Sequence, residues 1–176
     1  SYDAIPLFDD ISFKKPENDI PLLQYHVFKY LIVFNHFNNE LYILEHLLEN
    51  ETSEISQLQN LVNHRAFTSF KFSAQEQETS NFTDQQFLSA IKKGIQHCYL
   101  GDVFQVVLSR KFKIDFLGDE FNVYRALRSI NPSPYLFYFD YGKFKIFGSS
   151  PEAQLTINGN KATINPIAGT FKRTGN

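Results

Sequence analysis

The chain has 176 residues, a net charge of −2 and a single cysteine, Cys98. Such a balance lacks the basic face that nucleic acid or an anionic membrane surface would call for, and no run of about 18 apolar residues offers a membrane span. A hydrophobic share of 43%, with 19 Phe but no Trp and no Met, is ample for one core, and a lone thiol fits a reducing, cytoplasmic setting.

Taken in order, Ser1–Asp10 has neither the basic start nor the apolar stretch of a signal peptide. Pro6, Pro16 and Pro21 with Asp9, Asp10, Asn18 and Asp19 break the opening into loops. Strand-like runs follow at Tyr25–Phe28, Leu31–Phe34 and Leu41–Leu44, with Asn35–Glu40 as the turn of a hairpin. His26, His36 and His46 lack metal-ligand spacing and are expected to be structural. A helix is predicted over Glu54–His64, and Arg65–Ser80 reads as a polar linker.

Thr83 and Gln86 have the spacing of a capping box, with Asp84 in the first turn of a helix. Phe87, Ala90, Ile91, Ile95 and Cys98 then recur at helical spacing up to Gly101, which makes Cys98 a small buried hydrophobe. Lys92 and Lys93 face the other way, toward water. Val103–Phe116 is expected to be one long strand, with Gln105 interrupting its apolar face. A buried amide there must find a hydrogen-bonding partner.

Glu120–Ile130 is a second amphipathic helix, with Phe121, Tyr124, Leu127 and Ile130 inward, and Asn131-Pro132 ends it. Pro134–Phe139 and Lys143–Phe147 are aromatic strands joined at Gly142. The last hairpin alternates Ala153, Leu155, Ile157 with Ala162, Ile164 about an expected turn at Asn158-Gly159. Its ends bear Glu152, after Ser149-Ser150-Pro151, and the loop Pro166-Ile167-Ala168-Gly169-Thr170. Antiparallel pairing sets a proton donor beside a bare backbone with a hydroxyl, which suits holding an anion and protonating its leaving group.

Four segments, Gly101–Phe112 (GDVFQVVLSRKF), Asn131–Tyr138 (NPSPYLFY), Ser149–Glu152 (SSPE) and Pro166–Thr170 (PIAGT), come in an order and spacing that closely resembles the chorismate-utilising enzymes. Within that family the nearest likeness is to the large subunits of anthranilate synthases. The resemblance implies an α+β fold, a mainly antiparallel sheet packed with helices. It also implies a fragment: an N-terminal sheet region and linker over residues 1–80, then the first part of the chorismate-binding core over 81–176.

The implied reaction turns chorismate and ammonia into anthranilate and pyruvate, on the way to tryptophan, with ammonia from a separate glutaminase subunit. Glu152 matches the general acid that protonates the departing ring hydroxyl, a task for a carboxyl that keeps its proton near neutral pH. Gly169 and Thr170 match residues on a substrate carboxylate: glycine admits the backbone N–H and threonine adds a hydroxyl. Gln105 stands where water-using relatives carry a basic lysine; ammonia has a free lone pair and needs only to be oriented. Ala168 stands where many aminodeoxychorismate synthases carry a nucleophilic lysine, and alanine cannot attack the ring. Pro134, Tyr135 and Leu136 match part of the family's tryptophan feedback site, Leu136 replacing the usual methionine. Magnesium is the implied cofactor, with ligands expected beyond residue 176. Phe171-Lys172-Arg173 departs from the common arginine-proline-arginine. The competing expectations are an aminodeoxychorismate synthase of folate synthesis, with the amine para rather than ortho, and an inert fragment or binding module.

Overall fold

The computed structural model describes residues 2–12, 20–64, 68 and 70–167. They divide into two compact units, Ser1–Thr68 and Ser69–Asn176. The architecture is mixed α+β: three helices and strands that pair antiparallel, two by two.

In the first unit a short 3₁₀ turn, Tyr2–Leu7, precedes β1 (Tyr30–Asn35) and β2 (Glu40–Glu45). The predicted turn is where the hairpin closes, Asn35 pairing with Glu40. Tyr25–Phe28 lies outside any strand. Helix α1 (Ile55–Asn63) is tied to the hairpin through the carboxylate of Glu45, which accepts from Ser53 Oγ at 2.6 Å and from the Glu54 amide at 3.0 Å. Glu54 in turn accepts from the Tyr30 hydroxyl, and Lys29 Nζ stands 3.5 Å from both Glu51 and Glu54. All three histidines have structural partners: His46 donates from Nδ1 to the Phe28 carbonyl at 2.8 Å, His36 packs on the Phe34 ring, and His26 stacks on the Phe28 ring at 6.0 Å.

In the second unit, β3 (Phe72–Ser80) pairs with β4 (Phe112–Gly118). This overturns two expectations at once. The polar stretch read as a linker is a strand, and the strand expected from Val103 begins only at Phe112. The first has its reason in β3 itself, which passes from Ala74 to Glu78 while its partner passes from Phe116 to Ile114. Extra residues on one strand of a pair break the alternation by which a strand is recognised. Gln105 is accordingly exposed and not in a ladder.

The segment before β4 is held by helix α2 (Asp84–Leu100) instead. Both arms of the capping box form: the Gln86 amide donates to Thr83 Oγ1 at 3.2 Å, and the Thr83 amide to Gln86 Oε1 at 2.9 Å. Phe87, Ala90, Ile91 and Gly94 form the covered face, while Ile95 and Cys98 are exposed, so Cys98 is not the buried hydrophobe expected. Gly94 is buried because a Cβ there would stand 3.3 Å from Val106 and 3.5 Å from Leu108. Those side chains therefore rest against the helix, and the segment carrying Gln105 is docked on α2. Its far end is clipped by Arg110, whose guanidinium donates to Asp84 at 2.7 Å and to Ser80 Oγ at 2.9 Å while lying over the Phe112 ring.

Helix α3 (Phe121–Ile130) packs on the hairpin of β5 (Tyr135–Asp140) and β6 (Lys145–Ser150). Phe121 meets Tyr138 edge-on at 5.0 Å, and Tyr124 lies 5.4 Å from Tyr138 and 6.3 Å from Phe147. Ile130, expected inward, is 83% exposed. The final hairpin joins β7 (Leu155–Asn158) to β8 (Lys161–Ile164), with Asn158 paired to Lys161. The turn is thus Gly159-Asn160, one residue later than expected, and Gly159 takes the positive φ (+57°) at its first central position. That shift sets Ile157 opposite Ala162 and Leu155 opposite Ile164, apolar against apolar.

Candidate active site

Strands β5 and β6 bring together two of the segments singled out in the sequence. Tyr135 pairs with Ser150 and Leu136 with Ser149, so the Pro134-Tyr135-Leu136 stretch lies cross-strand from the approach to Glu152. Side chains opposite one another share a face of the pair. Leu136 and Ser149 therefore lie on the face of Tyr138, Phe147, Asp140 and Lys145; Tyr135 and Ser150 lie on the other.

The Ser149 hydroxyl reaches out of the ladder. It donates to the Asn131 carbonyl at 2.6 Å and lies 2.8 Å from Ser133 Oγ, joining the end of β6 to the loop after α3. Ser150 shapes the next step: its Oγ accepts from the Glu152 amide at 3.4 Å and donates to the Glu152 carbonyl at 3.1 Å. Pro151 cannot donate to a ladder, so β6 ends at Ser150 and the chain turns to half-buried Glu152.

Beyond Glu152, β7 and β8 stay paired past their formal ends. The Asn165 amide donates to the Gln154 carbonyl at 3.2 Å, and Asn165 Nδ2 to the Ala153 carbonyl at 3.3 Å. The open end of this hairpin therefore lies next to Glu152 on one strand and Pro166 on the other. Ala168, Gly169 and Thr170 lie outside the described residues. Gln105 stands on another element, the segment whose Val106 and Leu108 rest against Gly94 of α2, and it is exposed there.

One charged cluster was missed in the sequence. Lys145 Nζ pairs with Glu120 Oε1 and stands 3.9 Å from Asp140, and the Tyr138 hydroxyl donates to Glu120 at 3.2 Å. Lys145 chiefly, and the backbone next, hold the Glu120 carboxyl below the ordinary range. Glu120 raises Lys145 in return. Desolvation first, and the Glu120 charge second, push the Tyr138 phenol up. A lysine sharing a strand face with Phe147 was the signal available, since such a charge needs a carboxylate close by. An open cleft of ≈ 660 Å³ runs along this cluster, lined by Phe70, Glu120, Phe121, Tyr138, Asp140 and Lys145 among others. It contains neither Glu152 nor Gln105, and its lysine is already matched by carboxylates.

The model of the chorismate binding enzyme family matches residues 1–176. The chain belongs to that family. Its relatives include anthranilate synthase component 1 of Lactococcus lactis subsp. lactis (strain IL1403), 31% identical over 98% of this chain and 40% of the relative. Another, anthranilate synthase component 1 of Aquifex aeolicus (strain VF5), is 46% identical over 53% of this chain and 19% of the relative. Among solved structures, that of anthranilate synthase component I from Streptococcus pneumoniae TIGR4 superposes with a TM-score of 0.69 at 26% identity, over 92% of this chain and 39% of that one. The chain thus spans about two fifths of the relatives that it matches end to end. No helix among the described residues of this chorismate-binding family member is long and apolar enough to cross a membrane. Nor, among those residues, do three His, Cys, Asp or Glu side chains gather closely enough to hold a metal ion. The described residues alone do not make up a magnesium site.

Proposed function

We propose that the intact protein condenses chorismate with ammonia to give anthranilate, pyruvate and water. Support comes above all from Glu152: a half-buried carboxyl at the exit of β6, beside the open end of the β7–β8 hairpin, in a chain aligned over 98% of its length with an anthranilate synthase component 1. Ammonia adds to the ring with its lone pair while Glu152 gives its proton to the leaving hydroxyl, which departs as water. The added nitrogen then gives up a proton, matching the one that Glu152 spent. Loss of a ring proton with protonation of the enolpyruvyl methylene expels pyruvate and leaves the aromatic amine. Gln105 orients the ammonia, and Gly169 and Thr170 hold a substrate carboxylate. Ala168 cannot form a covalent adduct, which favours direct amination over the lysine-assisted route. A glutamine amidotransferase subunit is the proposed source of ammonia.

The test is the intact protein with chorismate, ammonium and magnesium, followed by anthranilate fluorescence and by chromatography of the products. Anthranilate with wild-type Glu152, its loss in Glu152→Gln and retained chorismate binding in that variant are expected. Full turnover by Glu152→Gln refutes the acid role, and 4-amino-4-deoxychorismate as the product moves the chain to the para-aminating branch.

A further inference from the structure

We infer that Ser149 is a positioning residue for Glu152, holding the end of β6 against the loop that follows α3. The inference rests on Glu152 being the acid, and three observations carry it. The Ser149 hydroxyl has one proton and gives it to the Asn131 carbonyl at 2.6 Å, so its 2.8 Å contact with Ser133 is one in which Ser133 donates. Both partners lie on the stretch between α3 and β5, outside the ladder that pairs Ser149 with Leu136. Ser149 is therefore fixed twice, by main-chain pairing on one side and by its side chain on the other.

Pro151 then removes the next ladder hydrogen bond, and the chain enters the Ser150–Glu152 turn, closed by bonds of 3.1 and 3.4 Å. Ser150 is held to another element only by its pairing with Tyr135, so Ser149 is the last residue before the acid whose side chain is tied outside the ladder. An acid must lie within hydrogen-bonding reach of the atom it protonates, and a displacement of about 1 Å can cost up to about a hundredfold in rate. An alanine at 149 keeps the ladder and loses the tie. A threonine keeps the hydroxyl, and its β-branch is at home in a strand.

Two measurements test this. In the intact protein, Ser149→Ala is expected to lower kcat for ammonium-dependent turnover roughly tenfold with the chorismate KM little changed, Ser133→Ala to lower it less, and Ser149→Thr to restore it. In the chain itself, hydrogen exchange of the Glu152 amide is expected to quicken in Ser149→Ala and to return in Ser149→Thr. Unaltered exchange at Glu152 overturns the inference whatever reaction the protein performs. Unaltered kcat in Ser149→Ala, where Glu152→Gln is dead, overturns it while leaving the acid role intact. Activity persisting in Glu152→Gln overturns the acid role itself and this inference with it.

Discussion

Gly118→Ala separates close backbone approach from backbone strain. Gly118 ends β4 at φ +99° and faces the start of β3, where an added Cβ would stand 1.7 Å from the Lys71 carbonyl oxygen and 3.2 Å from the Phe72 Cα. Carbon and carbonyl oxygen come no closer than about 3.3 Å even in a favourable contact, so the strands must part by about 1.6 Å. No rotamer relieves this, because the obstructing atom is main chain. Parting them removes the Phe72–Gly118 pairing and the bond from the Asp119 amide to Lys71, already 3.4 Å long. An alanine at positive φ costs about 1–2 kcal/mol, and one or two lost backbone bonds about 1 kcal/mol each, giving about 3 kcal/mol. Gly142→Ala is the control: φ is +77° there, but nothing lies within 4 Å of the added carbon, leaving only the strain of about 1–2 kcal/mol. With a urea slope of about 2 kcal/mol/M, the midpoint should fall by about 1.5 M for Gly118→Ala and by about half that for Gly142→Ala, read by far-UV circular dichroism. Equal falls in the two variants would refute the close approach of β3 and β4.

Thr83→Ala should cost about 1 kcal/mol by removing one arm of the capping box, and Thr83→Ser should recover most of it; no loss in urea unfolding would show that the cap is idle. Lys145→Met should flatten the pH dependence of stability. Glu120 titrates below its unfolded value, so its contribution is complete above the ordinary glutamate range and is lost as pH falls through the folded value. Lys145 titrates above its unfolded value, so its contribution is complete below 10.5 and is lost as pH rises through the folded value. Identical acid and alkaline limbs in variant and wild type would dismiss the pair. Gln105→Lys in the intact protein should depress ammonia-dependent turnover, whereas unchanged amination kinetics would make Gln105 purely structural.

What could be read in the sequence follows the distance over which each feature is encoded. The cap at Thr83 joins residues three apart, and the β1–β2, β5–β6 and β7–β8 hairpins each join neighbouring runs, so all were legible, although the β7–β8 turn lies one residue later than the sequence suggested. Strand β3 was not. Its residues are almost all exposed, its register slips between Ala74 and Glu78, and its partner follows only after α2. With β3 unseen, β4 was drawn too long, and Gln105 was placed in a strand rather than in the irregular segment that docks on α2. At the candidate site, the motif singled out Glu152, whose half-buried place after β6 follows from Pro151. The tie from Ser149 to Asn131 and Ser133 was not legible, because nothing in a serine names a carbonyl on another element.

Helix α2 depends on no distant residue to close its ends. Thr83 and Gln86 seal the first turn; Gly101, left-handed at φ +80°, lets its own amide and that of Asp102 satisfy Cys98 and His97. At seventeen residues the helix is about 25 Å long, past the length at which isolated helices first hold together. As the chain leaves the ribosome, α2 can be made before Val106 or Leu108 emerges. The stretch bearing Gln105 then arrives at a surface already built, with the notch at Gly94 to seat it.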